Sequence, residues 1–355
     1  MSADGGLHDA VTAAWTSPAV AARVARALLL PAAGAYAAVI AARNAAYDRG
    51  WLPATRVPAH VVSVGNLTVG GSGKTPLTLW IAEQLQARGH RVAIVARGYR
   101  KRLRGVVVVS AGHGPLVSAA DGGDEAVMLA HRFAGPVVTA ERRAEGAAHA
   151  CTALGCDTIV LDDGFQHRAL RRDVDVAVVA DDPAAAHLLP AGSRREPWSA
   201  LQRAQLVVAM DGAAVPVPGH PVVRAATQPL ALVTAHADGW EASPLAALAG
   251  AEVVAVAGVA RPGRFVATLE ALGARVVATL AFPDHHAYGP ADLAAIGAVA
   301  ARGRLVTTEK DLVKLGGAGL PGLCALRIGV AVADPAALLA RLAPSASGSV
   351  AFPPV

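Results

Sequence analysis

The chain is poor in cysteine, in aromatic residues and in lysine. Its 355 residues include three cysteines, Cys151, Cys156 and Cys324. That is too few to staple a chain of this size, so a disulfide-rich secreted scaffold is excluded and a reducing compartment is expected. Aromatic residues make up 4% of the sequence. The basic residues are scattered with no aromatics between them, so nucleic acid is not an expected partner. Charged residues amount to 17% against 54% hydrophobic, which excludes a disordered chain. There is no collagen-like period and no sustained heptad, leaving one large α/β domain or two smaller ones. Lysine occurs only as Lys74, Lys101, Lys310 and Lys314, and arginine supplies the rest of 32 basic residues set against 27 acidic ones. The net charge of +5 suits an anionic partner such as a nucleotide, a phosphorylated substrate or an acidic lipid surface.

A long uncharged run is also missing. The longest near the start, Ala27–Ala42, contains Pro31 and is flanked by Arg23 and Arg26 on one side and Arg43 and Arg49 on the other. It falls short of the roughly 20 apolar residues that span a bilayer, and no secretory cleavage pattern follows it. Three readings stand. A helix can lie in a membrane interface with Leu28, Leu29, Leu30, Tyr36 and Ile40 on or near its apolar side, it can pack on the domain core, or, the reading its length and Pro31 favour least, it can insert across the bilayer.

From residue 59 onward, short β-branched runs alternate with helical stretches. Strands are expected at His60–Val64, Arg91–Ala96, Val106–Ser110, Pro136–Ala140, Asp157–Leu161, Val174–Ala180 and Gln205–Ala209, with helices at Pro76–Arg88, Asp124–Ala134 and Arg142–Leu154. Several strands are apolar on successive residues, as in a parallel sheet covered on both faces. A Pro- and Gly-rich loop is expected from Gly212 to Pro229. Strands at Glu252–Val259, Arg275–Leu280, Arg304–Thr308 and Cys324–Val330 would then form a second set. The expected division is an N-terminal membrane-interface segment (1–50), a nucleotide-binding core (51–228), a smaller C-terminal α/β lobe (229–345) and a tail (346–355).

The sharpest signal is the run from Val61 to Pro76, a hydrophobic strand entering Thr68-Val69-Gly70-Gly71-Ser72-Gly73-Lys74-Thr75. Glycines let backbone N–H groups approach phosphate oxygens, and the helix that follows adds its positive end. Lys74 then serves the β/γ-phosphates and the Thr75 hydroxyl serves Mg²⁺. Thr68 stands where the strict pattern has glycine. A second apolar strand ends in Asp162 and Asp163, the arrangement that holds Mg²⁺ beside a phosphate loop. The fold class expected is therefore α/β: a phosphate-loop nucleotide-hydrolase-like, mostly parallel sheet with helices on both faces, the C-terminal lobe and an N-terminal hydrophobic helix.

Two further constellations are candidates for acceptor chemistry. Asp121-Gly122-Gly123-Asp124-Glu125 opens a helix, where a carboxylate can cap or catalyse. Phe282-Pro283-Asp284-His285-His286-Ala287-Tyr288 offers an Asp–His pair able to orient a general base. Thr308-Glu309-Lys310-Asp311 is a poor match to a guanine-specificity motif. A membrane-associated regulatory ATPase with a phosphate loop is the alternative reading, but Val69 occupies the place of that class's signature lysine.

Taken together, the runs Val64–Pro76, Ala96–Lys101, Gly122–Ala126, Glu141–Arg143, Leu161–Asp175, Leu189–Pro197, Phe282–Tyr288 and Thr307–Asp311 resemble the tetraacyldisaccharide 4′-kinases, in family order. Thr68 fits that family, and Ala126 replaces its usual proline. The resemblance implies transfer of the ATP γ-phosphoryl group to the 4′-hydroxyl of a tetraacylated glucosamine disaccharide 1-phosphate, with Mg²⁺. It implies a peripheral or monotopic enzyme on the cytoplasmic face of the bacterial inner membrane, bound to its anionic surface. By the same resemblance Asp124 is the catalytic carboxylate, paired across a cleft with His285, and Asp284 supports that histidine. Which of Asp124 and His285 takes the hydroxyl proton stays open. Arg97, Arg142, Arg143, Arg194 and Glu196 are candidates for substrate phosphate or metal contacts.

Overall fold

The computed structural model describes Trp15 and residues 17–182, 186–236 and 239–343. The expected tail lies outside the described residues, as do residues 1–14. In chain order the elements begin with α1 (Val20–Asp48), β1 (His60–Asn66), α2 (Lys74–Gln86), β2 (Val92–Ala96), β3 (Val107–Ala111), α3 (Ala119–Gly122), α4 (Asp124–Arg132) and β4 (Pro136–Thr139). They continue with α5 (Arg143–Thr152), β5 (Thr158–Asp162), β6 (Val174–Val179), β7 (Leu206–Met210), β8 (Val222–His236), β9 (Gly239–Ser243) and β10 (Glu252–Ala257). The last are α6 (Pro262–Ala271), β11 (Arg275–Ala281), α7 (Pro290–Val299), β12 (Arg304–Thr308), α8 (Glu309–Leu315), β13 (Cys324–Val332) and α9 (Pro335–Leu342). The fold is α/β with a mostly parallel sheet.

Two compact units share the chain, and neither is contiguous. The first joins the residues up to Arg97 with Arg142–Ala226 and the segment from Ala331 onward, and the second joins Gly98–Glu141 with Thr227–Val330. Residues 98–141, expected in the nucleotide-binding core, are grouped with Thr227–Val330. Within this unit β3, α3 and β4 pack on α4, and α4 packs on α8, where Arg132 donates to Glu309. The expected loop from Gly212 to Pro229 likewise ends early, at β8. This strand pairs with β7 over Val222–Ala225 and with β9 over Leu232–His236. Pro229, which has no N–H to donate, falls between those two ladders.

In the first unit β2, β5, β1, β6 and β7 run parallel in that order, and the start of β8 extends them. Every residue of β2, β5 and β6 is buried, as unbroken apolar runs in a sheet covered on both sides require. Helix α2 covers β2 and β5 with Leu77, Ile81 and Leu85 in one i, i+4 row and Thr78 and Ala82 in the next. On the parallel register Val64 stands beside Asp162. The carboxyl end of β5 is thereby level with the point where β1 becomes loop. In the second unit β11, β10, β12 and β13 form a parallel ladder, and β3 pairs antiparallel with β4.

Helix α1 is longer than the uncharged run that announced it. It spans 29 residues with Pro31 inside it, because the strong helix formers on either side outweigh one proline. Its second half is tied to the first unit. Tyr36 donates to the Arg195 carbonyl at 2.9 Å, Arg43 to the Gln166 carbonyl at 2.8 Å, and Asn44 to Glu196 at 2.7 Å. Leu29, Ala33, Tyr36 and Ile40 form the inward stripe. The outward stripe is apolar as well, with Val20, Leu28 and Val39 each at least 65% exposed. Leu29, Tyr36 and Ile40 are therefore not on the free apolar side expected for them, whereas Leu28 and Leu30 are exposed. Ala33 is the one residue of α1 that is buried. By length and composition the helix could also cross a membrane.

One glycine is required by close approach. A Cβ at Gly65 would lie 2.6 Å from Phe165 Cβ and 2.7 Å from its backbone nitrogen, and Phe165 is fully buried. Gly65→Ala is expected to lower stability by about 1–3 kcal/mol, the usual cost of overpacking, read as a lower urea midpoint with an unchanged slope.

Candidate active site

In the first unit the phosphate loop leaves β1 at Asn66 and enters α2 at Lys74. Gly73 caps the helix in a left-handed conformation (φ 78°), and Gly70 also has positive φ (110°). Gly70 and Gly71 have open space where a side chain would stand, so the loop presents bare backbone there. Asn66 braces it from inside, donating to Thr68 Oγ1 at 3.0 Å and to Ser72 Oγ at 2.8 Å. The Val69 N–H donates to the Ser193 carbonyl and the Arg195 N–H to the Leu67 carbonyl. The loop is thereby held by the segment 193–195 before any ligand arrives.

Two carboxylates at the end of β5 take different partners. Asp162 is buried and accepts from Thr75 Oγ1 at 3.2 Å and from Thr78 Oγ1 at 3.0 Å. Asp163 sits in a left-handed conformation (φ 53°), a strained backbone state for a side-chain-bearing residue. It receives both arms of Arg195 at 2.9 Å and lies 3.8 Å from Lys74 Nζ. Burial opposes its charge, but Lys74 and Arg195 more than offset that and hold Asp163 well below the usual carboxylate range. Thr75 and Asp162 thus offer adjacent hard oxygens, while Asp163 neutralises cations. Among the described residues no group of three or more His, Cys, Asp or Glu is arranged around a metal.

The expected arginine and glutamate candidates separate. Arg194 donates away from the loop to the Ala186 carbonyl and stacks over Trp198. Its neighbour Arg195, which the motif reading passed over, reaches Asp163, Asn66 Oδ1 and the Thr68 carbonyl. Consecutive residues of an extended segment face opposite sides, and Thr68 bridges Arg194 in antiparallel fashion. That alternation is the signal that could have picked Arg195. Glu196 is fully buried and gripped by Arg203 at 2.7 and 2.8 Å and by Asn44. It anchors α1 and has no open side for substrate or metal. Arg142 is exposed and pairs with Glu145. Arg143 is buried, its guanidinium lowered to about 10 by burial and by nearby Arg97, with Asp163 and Asp162 pulling the other way.

In the second unit Asp124 opens α4 and is buried. His285 Nδ1 lies 2.9 and 3.2 Å from its two oxygens. His285 also has positive φ (61°), and the Tyr99 ring leans on the imidazole with centroids 4.9 Å apart. Both residues belong to this one unit, so the pair does not join the two domains expected. Burial raises the cost of charge on Asp124, yet the His285 hydrogen bond and the ammonium groups of Lys310 and Lys314 keep its pKa lowered. Asp284 does not hydrogen-bond His285, its carboxylate being 3.9 Å from Nε2. Lys310 stands between them, 2.7 Å from Asp284 and 3.0 Å from Nε2. His286 turns away to Asp292. Thr308 caps α8 by accepting from the Asp311 N–H and donates its hydroxyl to the Asp311 carboxylate, which also accepts from the Gly258 N–H. The run Thr308–Asp311 therefore opens α8 and sets Lys310 beside Asp284 and His285.

His167, in the Asp162–Arg168 run of the first unit, is lowered to about 4 by burial and then by the charges of Arg143 and Arg172. Its folded state refuses a proton that the unfolded chain accepts near 6.5. Stability is therefore lost as pH falls from 6.5 toward 4 and no further from this group below that. His167→Gln should flatten the drop in thermal midpoint between pH 7 and pH 5 relative to the parent protein, as scanning calorimetry would record.

A sequence model described as Tetraacyldisaccharide-1-P 4′-kinase matches residues 25–346. A protein named tetraacyldisaccharide 4′-kinase from Anaeromyxobacter dehalogenans is 48% identical over 304 residues, covering 81% of this chain and 80% of that protein. One from Syntrophus aciditrophicus is 39% identical over 307 residues, covering 79% and 82%. The crystal structure of LpxK from Aquifex aeolicus, titled an "apo" form in complex with ATP, superposes with a TM-score of 0.74 at 34% identity. The match covers 86% of this chain and 95% of that one. With the phosphate loop, the paired carboxylates of β5 and the Asp124–His285 pair in place, this chain belongs to the tetraacyldisaccharide 4′-kinase family.

Proposed function

We propose that the chain transfers the γ-phosphoryl group of ATP to the 4′-hydroxyl of a tetraacylated glucosamine disaccharide 1-phosphate. The observation that carries this reading is a buried carboxylate, Asp124, kept ionised and hydrogen-bonded to His285, in a chain that also carries a braced phosphate loop. A nucleotide-hydrolysing regulator needs the loop but not that pair. Lys74 and the open backbone at Gly70 and Gly71 take the phosphates, with Arg195 and Asn66 keeping the loop in shape. Thr75 and Asp162 are the oxygens that would hold Mg²⁺, which when bound neutralises charge on the β- and γ-phosphate oxygens. The Asp124–His285 pair accepts the hydroxyl proton as the acceptor oxygen bonds to the γ-phosphorus and the bond to ADP breaks.

The acceptor is a lipid, and α1 fits that requirement. Its outward stripe of Val20, Val24, Leu28 and Val39 is exposed, and Arg23 lies among these residues, which suits an anionic membrane interface. We read the enzyme as peripheral or monotopic on the cytoplasmic face, where ATP is available.

The decisive assay supplies ATP, magnesium and the disaccharide 1-phosphate lipid, with GTP and acceptor-free controls. ATP hydrolysis that ignores the lipid would refute the proposal. Asp124→Asn should lower kcat by about 10²–10⁴-fold, the range for losing a general base, with ATP binding by fluorescence titration unchanged. Leu28→Glu with Val39→Glu should reduce co-sedimentation with anionic vesicles several-fold while turnover of a detergent-dispersed acceptor survives.

A further inference from the structure

Among the described residues of the second unit, four large apolar side chains are exposed: Tyr99, Leu103, Leu116 and Leu230. Leu230 is on β8 beside Gly329, and a single exposed leucine needs no explanation. The other three are 51%, 43% and 64% exposed and gather around one short helix. The Arg102 N–H donates to the Ala120 carbonyl of α3 at 2.7 Å, and its guanidinium grips Asp121. Leu116 lies just ahead of the same helix. Residues 99–104 are thereby set beside 116–121, and Arg100, Arg102 and Arg104 are exposed among the apolar groups. We propose that this patch is a second membrane-docking surface, separate from α1. Leu103 and Leu116 enter the interface of an anionic bilayer, and Arg100 and Arg104 meet its lipid phosphates. The inference rests on the kinase reading above, because a bilayer lipid as acceptor is what brings this surface to a membrane.

Lys101 holds the loop in this posture. Its side chain is buried, donates to the Gly105 and Thr139 carbonyls, and faces Glu141 at 3.7 Å. Glycines bend the chain at both ends, with φ 66° at Gly98 and 74° at Gly105. A Cβ at Gly98 would lie 2.6 Å from Lys101 Cδ, so the loop closes over its own lysine. With Lys101 drawn inward, Arg100 and residues 102–104 face outward. Leu103 is thus fixed where it cannot sink into the core, and the apolar area it leaves in water favours a cover from outside. The charge says what kind of cover. Residues 99–104 hold three exposed arginines and no acidic residue, and Asp121 answers Arg102. Leucine and tyrosine set among arginines is the composition of an anionic membrane interface. Tyr99 ties the patch to the chemistry, its ring lying 4.9 Å from the His285 ring and under the Arg100 guanidinium at 5.4 Å. An acceptor whose sugar reaches the Asp124–His285 pair keeps its acyl chains in the bilayer. The rim of that pair is therefore where this unit meets the membrane.

The test is fluorescence quenching of the full chain on vesicles of phosphatidylglycerol and phosphatidylcholine with brominated acyl chains. Leu103→Trp places a reporter in the patch, and Leu230→Trp places one at the isolated leucine of the same unit. Co-sedimentation first establishes that both variants are bound. The expected result is quenching beyond the parent's level in Leu103→Trp and none beyond it in Leu230→Trp. Adding Arg104→Gln to Leu103→Trp should raise the half-saturating anionic lipid about 5-fold, the worth of one arginine at such a surface. Bound protein with no added quenching at residue 103, equal quenching at residue 230, or an Arg104→Gln chain that binds like its parent would overturn the proposal. So would a failure to bind the vesicles at all. A larger species that forms without lipid and is dissolved by Leu103→Glu would assign the patch to a second copy of the chain and overturn it too. Should Leu103→Trp fail to fold, Leu116→Trp gives the same reading. Phosphorylation of a detergent-dispersed acceptor needs no bilayer, so its failure would strike the kinase reading and leave the docking surface to the quenching.

Discussion

The register of two parallel strands governs the nucleotide side of this protein. Because Val64 of β1 is level with Asp162 of β5, the turn that follows β1 opens directly onto a strand-end carboxylate. Everything near it is then a matter of short reach. Thr75, one residue into α2, meets Asp162, and Asn66 spans the loop from Thr68 to Ser72. A slip of one residue would flip every side chain of β1 to the other face and carry Asn66 away from the loop it braces. Ligands of open α/β sheets sit at the carboxyl ends of the strands for this reason. The glycines of the loop add the space, but the register decides what they face.

The charges of the two sites follow one rule. A carboxylate taken out of water is costly unless cations or donors surround it. Asp163 is matched by Lys74 and Arg195, and Asp124 by His285, Lys310 and Lys314. Lys74 thus stands beside Asp163, and Lys310 and Lys314 stand beside carboxylates of the Asp124–His285 cluster. The fourth, Lys101, is also buried, donating to the Gly105 carbonyl and facing Glu141 at 3.7 Å. In a chain that uses arginine nearly everywhere, lysine is retained where a compact point charge with three freely aimed donors is needed. Asp163 and His285 both hold left-handed backbone, as Arg100 and Asp211 do elsewhere, a conformation kept only where surrounding packing over-determines it.

Helix α1 illustrates how one apolar sequence can serve two environments. Its inward stripe is secured by polar bonds near its C-terminal end, with Glu196 and Arg203 as the buried anchor. Its outward stripe has no partner in the chain among the described residues. An exposed apolar stripe of this kind marks an interaction surface, and among the described residues it is the inward stripe that is covered.

Local pattern was enough to read the strands of the sheet other than β8 and β9 to within a residue or two, along with the phosphate loop, the strand that ends at Asp162, and the helix opened by Asp124. These depend on side-chain periodicity and on backbone conformations that a few adjacent residues dictate. Pattern could not choose Arg195 over Arg194, show that Glu196 is an anchor, or put Lys310 where Asp284 was expected to act. Nor could it show that residues 98–141 fold with residues 227–330. Those outcomes turn on which side chains meet across 161 residues of sequence, as Asp124 and His285 do. Local preference carries no information about such meetings, because they are set by how whole elements bury their apolar faces against one another.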